Sequence, residues 1–90
     1  MPRTRPTQFN DFRLDYTPMR AKRRSLFMTQ RQVALAVGVH PVTINRIEMN
    51  QNEPSHRMVL AITRALGYPQ DDLVNCSAEL YQVLPSNGRR

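Results

Sequence analysis

The tightest constraint on how this chain can fold lies between Met28 and Glu48. Thr29-Gln30-Arg31-Gln32 has the form of a helix-opening box: the Thr29 hydroxyl can take the Gln32 amide while the Gln32 side chain reaches back. Val33, Ala34 and Val37 then fall on one face of a helix, and Gly38 supplies the left-handed turn that ends it. His40-Pro41 opens a second helix, with proline at the first position, where no amide partner is needed. In that helix Ile44 and Ile47 lie three apart and face a core, which leaves Val42, Thr43, Asn45 and Arg46 outward. Two short helices meeting at a tight turn, the second with a polar outer face, leave few folds open.

The flanking sequence supplies further helices. Thr17-Pro18 predicts a helix start, with Thr17 as cap, running to about Leu26. Met49 to Pro54 reads as a polar loop in which Asn50 takes a left-handed conformation. Ser55 caps a fourth helix whose Val59, Ile62 and Leu66 repeat along one face before Gly67 stops it. A short helix near Gln70–Val74, continuing through Ser77–Leu84, completes the pattern. Neither internal repeats nor strand-like alternation interrupt it, so the expected class is all-α, a compact bundle of about five short helices. Leu73, Val74, Leu80, Tyr81, Val83 and Leu84 exceed what such a core needs. They either cover its open end or form a symmetric interface.

Ninety residues, 40% of them hydrophobic, suffice for one small domain. No apolar run is long enough for a membrane span, and the N-terminal arginines are not followed by the apolar stretch of a secretory signal. Cys76 stands alone, which suits a reducing compartment. The net charge of +6 is unevenly spread: residues 1–24 carry +5, residues 25–75 are neutral and residues 76–90 add +1. The expected organisation is a basic, flexible arm over 1–16, a globular unit over 17–84 and a flexible tail over 85–90. Such an arm, with Arg3 and Arg5, is either a phosphate-contacting segment or a solvated tail. Its Phe9, Phe12 and Tyr16 could also dock on a protein. Two histidines and one cysteine at unrelated spacings make no metal site, and neither Thr43 nor Ser55 has the base and acid of a nucleophilic centre. Neither a cofactor nor a catalytic role is expected.

Together these features describe a helix-turn-helix. From roughly Arg20 to Val74 the chain resembles the Cro/CI-type (XRE-like) family, which has the lambda-repressor-like fold. The resemblance rests on Thr29-Gln30, Val33-Ala34, Gly38-Val39, Thr43-Ile44-x-Arg46-Ile47-Glu48, Pro54-Ser55, Ala65-Leu66-Gly67 and Asp72-Leu73. It implies that Gln30 meets a DNA phosphate and braces the recognition helix. Pro41, Val42 and Thr43 would meet base edges, with Asn45 and Arg46 one turn on. Arg23 and Glu48 match a pair that ties the first helix to the third in similar proteins. Arg20, Arg31, His40 and Asn50 complete the expected DNA surface. The chain departs from the family pattern in three places. Pro41 and Val42 restrict readout there to apolar contact, such as a thymine methyl. The loop Met49–Glu53 lacks the usual glycine and cations, and Lys22 and His56 stand where apolar residues are common.

The function implied is a sequence-specific, DNA-binding transcriptional regulator, a repressor. It would place its third helix in the major groove and its basic arm on the backbone or in the minor groove. Double-stranded DNA is the expected partner, the chain acting as a homodimer in the cytoplasm, on the nucleoid. The alternative is an antitoxin or other interaction module on the same fold, holding a protein through the arm or the C-terminal helix.

Overall fold

The computed structural model describes residues 12–85. In chain order that span forms β1 (Phe12–Asp15), α1 (Thr17–Ser25), α2 (Gln30–Val37), α3 (Pro41–Glu48), α4 (His56–Ala65), α5 (Leu73–Ser77) and β2 (Gln82–Pro85). Single 3-10 turns at Gln70–Asp72 and Ala78–Leu80 flank α5. The fold is a five-helix bundle with a minor two-stranded sheet.

Local chemistry sets most of the helix ends. Both halves of the Thr29–Gln32 box form, and Gly38 closes α2 at φ 91°. The Ser55 hydroxyl accepts the Met58 amide to open α4, and Gly67 follows at φ 93°. The start of α1 differs from expectation. Thr17 is the first helical residue and Tyr16 the cap position. The Asp15 carboxylate takes both the Thr17 amide (3.2 Å) and its hydroxyl (2.6 Å), so that hydroxyl is occupied as a donor.

The apolar stripes converge as their spacing requires. Val33 and Ala34 of α2, Ile44 and Ile47 of α3, and Val59 and Ile62 of α4 are buried together, with Leu66 just beyond α4 and Met19 from α1. Helix α2 packs on both α3 and α4, while α1 covers the Ala78–Leu80 turn. Lys22, where an apolar residue was expected, sets its ammonium 5.0 Å from the centre of the Tyr68 ring. His56, at a position where apolar residues are common in the family, opens α4 exposed.

The larger corrections lie at the two ends. Residues 12–15, expected within a flexible arm, pair antiparallel with 82–85, where a helix was expected to run to Leu84 and a flexible tail to begin at 85; Leu14 lies opposite Val83 and Asp15 opposite Gln82. Tyr16 is a core residue whose ring meets that of Tyr81 at a tilt, centroids 5.6 Å apart, and Leu80 is wholly buried, so neither is spare surface for a partner. Each strand has four residues, too few for alternation to register, and the partners are separated by most of the chain. Among the described residues no helix is long and apolar enough to cross a membrane.

Candidate nucleic-acid interface

Helix α3 is fastened from behind and open in front. Its last residue, Glu48, is buried and receives a two-pronged contact from Arg23 of α1, Nε to Oε2 at 2.7 Å and Nη2 to Oε1 at 3.0 Å. The remaining arm of the guanidinium donates to the Met28 carbonyl at 2.7 Å. A buried ion pair is costly to desolvate, and here each guanidinium nitrogen and both carboxylate oxygens take part in a hydrogen bond. Gln30 extends the cluster: its amide nitrogen donates to Glu48 Oε1 (3.0 Å) and to Asn45 Oδ1 (3.2 Å). Both of its hydrogens are thereby used in bracing α3 against α2. An anion at the start of α2 would meet the first-turn backbone amides other than that of Gln32, which the Thr29 hydroxyl takes.

On the outer side Val42 and Arg46 are exposed, and Pro41, Thr43 and Asn45 are half-buried. His40 caps the helix through Nδ1, which accepts the Val42 amide at 3.1 Å. With Nδ1 accepting, Nε2 is the ring nitrogen left to donate. Arg31 of α2 and Arg20 of α1 are exposed. Arg3 and Arg5 lie outside the described residues.

Asn50, expected on the DNA surface, is exposed just beyond α3. Its backbone takes the left-handed form, φ 61°, as its residue type suggests. Its side chain, however, is engaged in the fold: Oδ1 accepts the Tyr16 amide and Nδ2 donates to Asp15 Oδ1, both at 2.8 Å. Asp15 is the centre of this cluster and also accepts from Gln82 at 2.7 Å. Thr17, then Gln82, then Asn50 hold its carboxyl well below the usual carboxylate range, against the opposing effect of burial. One carboxylate thus joins β1, β2 and the end of α3. Sequence reading missed it, because a lone aspartate before a threonine carries no sign of partners 35 and 67 residues away. The loop after α3 folds back on that helix, the Gln51 and Asn52 amides donating to the Arg46 carbonyl at 2.8 and 3.3 Å.

The exposed face of α3 thus offers apolar surface, a hydroxyl, an imidazole donor and a guanidinium, all on a helix whose inner side cannot shift without breaking the Arg23–Glu48–Gln30 cluster. A family model described as helix-turn-helix matches residues 19–73, more than half of the chain. No curated protein and no solved structure matches it significantly.

Proposed function

The chain belongs to the Cro/CI-type helix-turn-helix family of DNA-binding regulators, and from that premise we propose that it is a sequence-specific repressor of transcription. The observation that carries the reading is the exposed Arg46 on a helix clamped at Glu48. A guanidinium meeting guanine O6 and N7 gains its discrimination only if its backbone is held in register with the groove. Pro41 and Val42 read a thymine methyl beside it, Thr43 and Asn45 add polar contacts, and the Nε2 donor of His40 meets a phosphate or a base acceptor. Arg20 and Arg31 hold phosphates to either side. Arg3 and Arg5 follow the backbone or enter the minor groove.

The protein acts as a homodimer. Val74 on α5 and Val83 on β2 are 64% and 57% exposed, apolar surface the core does not use. Two copies related by a twofold axis would present their third helices about 34 Å apart, matching half-sites one turn apart. Occupying that DNA excludes other proteins from it, and repression follows. The place of action is the nucleoid.

A salt-dependent titration against the upstream DNA of its own gene and a scrambled duplex of equal length tests the reading. Preference for the native duplex by about a thousandfold is expected, together with its loss in Arg46→Ala and sedimentation of the complex with two copies bound. Equal, weak and steeply salt-dependent binding to both duplexes sinks it.

A further inference from the structure

Phe27 is the most anomalous residue of the described span. It is 94% exposed, so its ring contributes almost nothing to the core. Its backbone also sits at φ +58°, a region where a Cβ is unwelcome and glycine is the usual occupant. The reason for that φ is local. Phe27 follows α1 in a left-handed cap, its amide donating to the Arg24 carbonyl at 3.0 Å and the next amide, of Met28, to the Arg23 carbonyl at 3.1 Å. A large apolar side chain is therefore held at a strained position and presented to solvent, a combination that works against stability.

Its surroundings identify an occupant. Phe27 lines a shallow hollow with Arg24, Gln30, Arg31 and Pro41, and none of the residues lining that hollow is acidic. Pro41 begins the proposed readout helix, so the hollow continues that surface toward α1. Guanidinium groups beside an exposed aromatic ring fit alternating phosphate and deoxyribose. Resting on the DNA-binding reading above, we propose that Phe27 is a backbone contact. Its ring packs on the deoxyribose of the strand whose phosphates Arg24 and Arg31 bind, anchoring the complex independently of base sequence.

The test is Phe27→Gly, read for stability and for binding together. Glycine suits the left-handed backbone, so the melting temperature is expected to rise, by about 2–5 °C. Affinity is expected to fall about tenfold, or about 1.4 kcal/mol, equally on the native duplex and on a scrambled one. Because no charge is lost, the salt dependence keeps its slope, whereas Arg24→Ala or Arg31→Ala lowers it by about one. Phe27→Tyr, which keeps the ring face, retains affinity. A Phe27→Gly protein that is more stable yet binds both duplexes as tightly as before overturns the proposal. So does a lost slope in that variant, which would make the ring's effect electrostatic. If the unaltered protein shows no preference for the native duplex and Arg46→Ala changes nothing, the specific-regulator reading fails, while the tenfold loss on the scrambled duplex still decides the role of Phe27. An unaltered protein with no affinity for either duplex overturns both.

Discussion

At the start of α3 the two nitrogens of His40 face different tasks, and substitution separates them. Nδ1 caps the helix by accepting the Val42 amide, while Nε2 is the atom proposed above to meet DNA. Serine also caps well, so His40→Ser should leave the urea midpoint nearly unchanged while weakening DNA binding. His40→Ala should lose the cap as well, at about 1 kcal/mol. Equal DNA affinity in His40→Ser and the unaltered protein would confine the histidine to capping. The same division of labour explains Gln30, whose amide nitrogen works inside the fold while the backbone beside it remains for an anion. The sequence placed both residues at helix starts, and the family resemblance implied the bracing by Gln30, but the cap through His40 Nδ1 is visible only in the structure. Phe27 could not be recognised in this way, because its exposure depends on what fails to pack against it.

Between elements, the Arg23–Glu48 clamp fixes how α3 sits on α1. Removing one partner strands the other as a buried charge, so Glu48→Ala is expected to lose about 3–5 kcal/mol in urea denaturation. Replacing both with apolar residues of similar size, Arg23→Met with Glu48→Leu, should restore most of that stability. If the pair also positions the recognition helix, the double variant will still bind specific DNA less tightly, since Gln30 loses its Glu48 acceptor. Full specific affinity in the double variant would make the pair a stabilising device alone. The family pattern pointed to this pair, but only the packed helices show that the Met28 carbonyl and Gln30 complete its hydrogen bonding.

Across the whole molecule, the Asp15 cluster ties the two ends of the described span to the recognition helix. Its carboxyl lies below its ordinary value in the folded protein, so it stabilises the fold at any pH above the unfolded value of about 3.9. That contribution declines as the pH drops below this point toward the folded value. Asp15→Asn should therefore be less stable than the unaltered protein at pH 7, by about 1–3 kcal/mol. The gap should narrow as the pH falls through about 4 toward 2, followed by urea midpoints at each pH. Parallel losses in the two proteins over that interval would show that the carboxylate is not the group that matters. A weakened cluster should also loosen the pairing of β1 with β2.

What the sequence determined by itself was whatever depends on neighbours in the chain. The Thr29–Gln32 box, the turn at Gly38, the Ser55 cap and the Ile44–Ile47 face all follow from contacts a few residues apart, where periodicity and capping preferences act. The tertiary structure alone decided the ribbon between residues 12–15 and 82–85, the burial of Tyr16 and Leu80, and the engagement of Asn50 with Asp15. Those features require segments distant in sequence to close on one another. The stabilisation appears only once both partners are in place, so neither segment carries a pattern that announces the other.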